Sequence, residues 1–416
     1  MQGYHLLSSE PKYQILFWSS IVNGVGSRFA QVGSFALLYL LTESGMALGI
    51  LMALRVLPPI VFAPLSGYLA DRFHKAKLLF WTDALRTPFA FLPLWAVSIE
   101  QLWLLYVSTF VIASGEAVYK PVRFAAIPDI VQKKHLLAIN GLEQNVVGLT
   151  LVFGSLLGGV LAYLFDTSLL FFFHALFLLL AATLIWRLTK KELSPVNGSE
   201  VVESSLKESG YLLIKVALLR VFLMIMLLMP LANGVDNVIF NLIALDVFNK
   251  GDLGVGFIYA ALGLGFVLSS TMAKWIQGRY IAIGVWMILF EGIGHLLLSQ
   301  SFFFAQALLL AVAITFVGGI SNICFDTVLM KILPASKRGF LFGTLSMFQN
   351  SSMGLAMIGA GFLTEWLSPL QSAFLIGLTY VFFAFIFMAS FKRVNVRESM
   401  RVLKNGYSDF MVEKGL

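Results

Sequence analysis

Charge is scarce in this sequence. Of its 416 residues only 12% are Asp, Glu, Lys or Arg, about half the roughly 25% that is usual for a soluble domain, and a soluble enzyme is thereby excluded. Cysteine is scarcer still. Cys324 stands alone in an apolar stretch, which leaves no disulfide framework and no thiolate zinc site and makes it a small buried packing residue. Long polar segments are missing, so a separate catalytic domain has no room, and no cofactor motif occurs. The N-terminus carries neither a charged n-region nor a small-residue cleavage site. Its first apolar run reads as a retained helix rather than a cleaved signal.

Apolar residues fill the chain, at 59% of the total. Runs such as 169–185 and 370–391 are almost uninterrupted, where a membrane β-barrel would show short alternating segments. At about 20 residues per crossing, the runs and their breakers place twelve spans at 13–41, 46–71, 77–98, 101–120, 135–165, 168–187, 218–247, 253–275, 280–299, 301–330, 339–366 and 370–391. The expected fold class is an all-α integral membrane protein, seated as a monomer in the lipid bilayer.

All but four of the 29 Lys and Arg fall in alternate connections and in the two ends of the chain. The exceptions are Lys250, on the opposite side, and Arg28, Arg55 and Arg86, within spans. The positive-inside rule then puts both termini in the cytoplasm and the protein in the cell (inner) membrane. The basic balance is a topology signal, and nucleic acid is not a partner. Residues 190–210 form the longest polar stretch and read as a linker. The chain divides into six spans within 1–189, the linker, six spans within 211–391 and a tail over 392–416.

The two halves echo each other. Asn23-Gly24-Val25 in the first span recurs as Asn233-Gly234-Val235 in the seventh, with a further amide following each, Gln31 and Asn241. An even six-plus-six pattern is that of a duplicated transporter.

An ionisable side chain in mid-span costs about 2.5–3.5 kcal/mol, so each needs a partner or a water-filled cavity. Asp83 and Arg86, three apart, read as a structural pair. Glu291 and His295 are spaced i,i+4, and with no further ligands in view they do not make a metal site. Asn23, Arg28 and Gln31, Glu116, Glu143 with Gln144 and Asn145, Asp236, Asn237 and Asn241, and Asn322 with Asp326 are too many and too scattered for local helix caps; a polar central cavity accounts for the set. Gly154, Gly158 and Gly159 share spacing that lets backbones approach. Pro58, Pro59 and Pro64, and Pro230, are expected to bend their helices.

Gly67-Tyr68-Leu69-Ala70-Asp71-Arg72-Phe73-His74-Lys75-Ala76-Lys77 is similar to the G-x-L-A-D-R-x-G-R-[KR] signature of the major facilitator superfamily, departing from it at His74 and Ala76. The resemblance runs over essentially the full length. It implies two six-helix bundles rocking about a central site, with Asp71, supported by Gly67, Arg72 and Lys75, closing the cytoplasmic side against the eleventh helix. Gly154-Ser155-Leu156-Leu157-Gly158-Gly159 resembles the G-P-x-x-G-G of drug/proton antiporters, with Ser155 in place of Pro. The segment from Tyr119-Lys120-Pro121-Val122-Arg123 through Ile127-Pro128-Asp129 to Ala138-Ile139-Asn140-Gly141-Leu142 looks like the helix four to five connection of the macrolide-efflux-like branch, which lysophospholipid transporters also share.

The resemblance further implies that spans one, four, seven and ten line the cavity, which makes Asn23, Arg28, Gln31, Glu116, Asp236, Asn237, Asn241, Asn322 and Asp326 the substrate-binding candidates. Glu116, Asp236 and Asp326 are the candidates for carrying the proton, because desolvation lets a cavity carboxylate alternate between charged and neutral forms. The expected activity is export of an amphipathic small molecule by proton antiport. Lysophospholipid or other lipid transport is the alternative. If the halves meet as the repeat suggests, Asp236 lies close to Arg28, and Glu116 lies near the end of its helix.

Overall fold

The computed structural model describes residues 2–42, 45–190, 212–276 and 278–405; most of the linker over 190–210 and the last eleven residues of the tail lie outside the described residues. In chain order the α-helices are α1 (Gln2–Ser9), α2 (Pro11–Thr42), α3 (Gly45–Arg72), α4 (Lys75–Ala90), α5 (Leu102–Ile130), α6 (Leu136–Leu164), α7 (Ser168–Lys190), α8 (Ala217–Leu242), α9 (Gly251–Ser269), α10 (Tyr280–Leu298), α11 (Phe304–Ile332), α12 (Arg338–Trp366), α13 (Pro369–Lys392) and α14 (Val396–Asn405).

Among the described residues nine helices are long and apolar enough to cross a membrane: α3 and α5–α11, with α13. The others that match expected spans are α2, α4 and α12. Polar content explains why α2 and α12 fall short, and α4 is in addition too short. α4 holds Asp83 and Arg86 in sixteen residues, α2 carries Asn23, Arg28 and Gln31, and α12 carries Gln349, Asn350, Ser351 and Ser352.

Local sequence explains several ends. Ser368 and Gln371 form a reciprocal capping box at the start of α13, with Pro369 in the first turn. α8 finishes in a π-helical turn, Ile243–Val247, and Asn249 and Gly251 take positive φ to reverse the chain into α9. Asp166 accepts hydrogen bonds from the backbone and hydroxyl of Ser168 at the start of α7, which holds its carboxyl below the usual range.

Two expected ends are corrected. The third span stops at Ala90, not 98, because Pro88 and Pro93 let a 3-10 turn, Leu92–Trp95, replace the α-helix. The fourth, expected over 101–120, continues through Pro121 and Pro128 to Ile130. The apolar run ends at Lys120, but the buried face persists in Val122, Ala125, Ala126 and Ile127, and packing sustains the helix.

Within the first half α2 packs on α6 and α7, α3 on α5, and α4 on α5 and α7; within the second, α8 packs on α12 and α13, α10 on α11 and α13, and α9 on α11. The halves meet chiefly along α3–α12 and α6–α9. At the end carrying most Lys and Arg, here called the basic end, one apolar cluster runs across both halves and includes Val122, Ile127, Leu329, Leu341 and Phe342. At the opposite end the cluster of Leu37, Leu51, Leu105 and Phe171 belongs to the first half alone. The halves are therefore sealed together at the basic end.

Candidate functional site

The seal is built from backbone contact and charge. Gly67 of α3 faces Gly339 of α12, and a Cβ on Gly67 would lie 2.6 Å from the Cα of Phe340, so only hydrogen at this position lets the helices come this close. The approach brings Asp71 to the first turn of α12. Its Oδ1 accepts the N–H of Gly339 at 2.8 Å and its Oδ2 the N–H of Phe340 at 2.9 Å. These are N–H groups that no carbonyl within the helix can satisfy, and the positive end of the helix dipole favours the carboxylate.

Asp129 reinforces the closure. It accepts from Lys75 Nζ at 2.5 Å and from Arg338 Nη1 at 2.7 Å, joining the two halves through one acid. Nearby, Asn140 Nδ2 of α6 donates to Thr327 Oγ1 of α11 at 3.0 Å. Arg72 is not part of the seal; it is exposed and lies over the Tyr68 ring. Asp129 sits in the segment expected to be a connection, and its role becomes visible only once α5 is seen to extend past Pro128. Thr327 carries no sequence signal at all.

In the first half the mid-span polar residues satisfy one another. Asn23 Nδ2 donates to Asp83 Oδ1 at 2.9 Å, and Arg86 pairs with the same carboxylate. Arg86 is buried against Gly115, where a Cβ would overlap its side chain. Ser27 Oγ donates to Glu116 Oε1 at 2.7 Å, and Lys120 lies 3.9 Å from Glu116 Oε2. Glu116 lies at the middle of the 29-residue α5, not near its end; the expectation missed this because it stopped the helix at 120. Toward the basic end Glu143 takes two contacts from Arg123, at 2.8 and 2.5 Å, and the Tyr13 hydroxyl at 2.5 Å.

The second half contains a counterpart. The Tyr380 hydroxyl lies 2.6 Å from Asn233 Oδ1 and 2.7 Å from Asp236 Oδ2. His295 Nε2 is 3.0 Å from Asp236 Oδ1, and its Nδ1 is 2.9 Å from the Glu291 carbonyl. Both ring nitrogens face acceptors. The expectation that Asp236 lies beside Arg28 is corrected: α8 turns this acid toward α10 and α13, inside its own half. Among the described residues no three His, Cys, Asp or Glu side chains are arranged to hold a metal.

The remaining candidates lie between the halves or open to space. Arg28 donates to Gln31 Oε1 at 3.1 Å, and its guanidinium sits 5.9 Å from the ring centroid of Tyr259 on α9. The Tyr259 hydroxyl also meets Asn241 Nδ2, at 3.1 Å; this tyrosine, which the sequence did not single out, links the two halves' amide and guanidinium groups. Asn237 and Asn322 are exposed, and Asp326 is half-buried. Asn23 is buried in its own half. Of the glycines, Gly154 makes room for the Arg28 stem and Gly158 packs on Phe29, whereas Gly159 has nothing within 4 Å of its Cβ position. The packing role expected of Gly159 is therefore not seen; it is exposed on the outer face of α6.

The sequence profile described as Major Facilitator Superfamily matches residues 16–290. An uncharacterized MFS-type transporter of Bacillus subtilis (strain 168), YfiS, is 25% identical over 355 residues, 81% of this chain and 82% of that protein. The class H tetracycline resistance protein of Pasteurella multocida is 24% identical over 73% of this chain and 75% of its own length. Among solved structures, the Major Facilitator Superfamily transporter FucP in the outward conformation superimposes with a TM-score of 0.71 over 91% of this chain and 98% of that one, at 13% identity. With a profile match over more than half its length and the same helical fold, this chain belongs to the Major Facilitator Superfamily.

Proposed function

We propose that this transporter exports an amphipathic small molecule, a drug-like compound or secondary metabolite, across the cell membrane by proton antiport with alternating access. The observation that carries the reading is the latch at the basic end, where Asp71 caps α12 across the halves. A capped helix end is a contact that can be made and broken without unfolding either half. The tetracycline resistance relative supports efflux, and the segment from Tyr119 to Leu142 supports the macrolide-efflux-like branch.

The reading counts α2, α4 and α12 as spans, giving twelve in two six-helix bundles over 1–189 and 211–391, joined by the 190–210 linker. By the positive-inside rule the basic end faces the cytoplasm, so the latched form is closed to the inside. Asp326 is the leading proton carrier. Glu116 and Asp236 are engaged by neighbours, whereas Asp326 makes no hydrogen bond or ion pair with the described residues and lies beside the Thr327–Asn140 contact, facing the charge of Glu143. Closure brings the two acids together and opening hydrates Asp326, which links its proton to the latch.

In proteoliposomes, Asp326→Asn is expected to abolish efflux driven by a pH gradient while sparing gradient-free counterflow. Gradient-driven efflux by this variant at the wild-type rate would remove proton antiport through Asp326. A lysophospholipid or other lipid transporter is the second reading, favoured by the arginines of α2 and α3.

A further inference from the structure

We infer that Arg28 and Arg55 form the headgroup site for an anionic substrate. This deepens the exporter reading and rests on it in taking the space between the halves as the substrate's path.

Both residues lie deep in their helices. At 1.5 Å per residue, Arg28 is about 21 Å from the Thr42 end of α2 and Arg55 about 15 Å from the Gly45 end of α3. A guanidinium at such depth needs a carboxylate, water or a ligand, and its five N–H donors are laid out to grip a carboxylate or phosphate through two bonds. Among the described residues neither has a carboxylate oxygen within 4.0 Å. Arg28 spends one donor on Gln31, and Arg55 makes no hydrogen bond to any described residue.

The nearby acids are engaged elsewhere. Asp83 holds Asn23 and Arg86, and Glu116 holds Ser27 with Lys120 alongside. Three guanidinium groups, on Arg28, Arg55 and Arg86, thus share the middle of the first half with two carboxylates, on Asp83 and Glu116. Arg28 and Arg55 also lie at depths within about 6 Å of each other below the ends of α2 and α3 that residues 43–44 join, so one ligand group can reach both.

The surroundings aim the surplus toward the opening between the halves. Gly154 takes up the stem of Arg28 on one side, and Tyr259 of the other half presents its ring on the other. Both arginines are part-exposed. The sealed basic end lies beneath them. An anion entering here would meet two arginines without displacing an existing ion pair, which a cation would find nowhere in this half.

The anionic group has two sources: a free organic acid or the headgroup of a lysophospholipid. The test uses the full chain in nanodiscs, with empty nanodiscs subtracted. The probes are a dansyl-tagged long-chain carboxylate, its methyl ester, the matching primary amine and a dansyl-tagged lysophosphatidylglycerol. At least one anionic probe is expected to bind tenfold or more tighter than ester and amine. Arg28→Gln and Arg55→Gln are each expected to weaken it at least tenfold while leaving ester binding unchanged, and Arg28→Lys to keep part of it. Whichever anion binds tighter identifies the source.

Equal binding of amine and anions, or unchanged anion binding in both Gln variants, overturns the site. Counterflow of the same probes separates the two readings. An anion that binds through the arginines but is not moved sinks the exporter and keeps the site; a moved amine with no anion binding does the reverse.

Discussion

Replacing Asp71 by Asn isolates the latch. The carboxylate takes one backbone N–H on each oxygen, from Gly339 and Phe340. The isosteric amide keeps one acceptor and turns an NH2 toward the other N–H. The closed form loses one charge-assisted hydrogen bond, about 1.5–3 kcal/mol, and the attraction between a full negative charge and the helix terminus, about 0.3–1 kcal/mol. The open form, in which Asp71 would be hydrated, loses neither. A differential of about 2–4 kcal/mol shifts the closed-to-open ratio by roughly thirtyfold to several hundredfold. Lys77 and Lys331 are exposed, one in each half at the basic end, and suit spin labels in a Cys324→Ala background. Pulsed dipolar spectroscopy should find the short distance dominant in the parent and a longer one populated in Asp71→Asn, with thermal stability nearly unchanged. Identical distance distributions would refute the latch and reduce Asp71 to a surface acid.

Four further outcomes follow from the same geometry. Arg86→Met leaves Asp83 buried without its cation and should destabilise the protein by about 3–5 kcal/mol; the Asp83→Asn/Arg86→Met double variant should recover part of that loss in a thermal unfolding assay. Gly154→Leu should push Arg28 from its seat and cut transport sharply, while Gly159→Leu, with open space around it, should transport as the parent does. Asn140→Ala removes a cross-half hydrogen bond of about 0.5–1.5 kcal/mol and should shift the spin-label distances in the direction of Asp71→Asn, by less. A cysteine placed in the 190–210 linker should react with reagents that reach the cytoplasm and not with impermeant ones applied to intact cells; outside labelling would reverse the assigned orientation.

The helical class and most span positions were legible because hydropathy reports what a bilayer demands of a backbone. α2, α4 and α12 were placed by the same apolar runs and breakers although polar residues interrupt them; those of α2 and α4 bond across helices, and Asn350 of α12 bonds within its own. The end of α5 was misjudged because an apolar run and a helix are different things: from Pro121 to Ile130 it is packing against the other half that holds the helix. The Asp71 signature pointed at a helix terminus, and that is where its carboxylate sits. The partners of Asp236 were not legible, because which way a polar residue turns on a span depends on which neighbours offer donors, and those lie on α10 and α13. Tyr259 and Thr327 left no trace in the sequence for a similar reason: one side chain at a helix crossing carries no periodicity.

The recurring Asn-Gly-Val tripeptide sits at a polar core in each half. In each half its asparagine joins polar contacts that reach the third helix in line: Asn23 with Asp83 and Arg86 in one, and in the other Asn233 with Tyr380 and Asp236, the acid that His295 pairs with. The two differ in the basic group. A guanidinium keeps its charge at every pH a cell meets, whereas an imidazole exchanges its proton. One half thus holds its polar core with a fixed charge and the other with a group able to exchange a proton, so that two similarly built halves need not respond alike to acid.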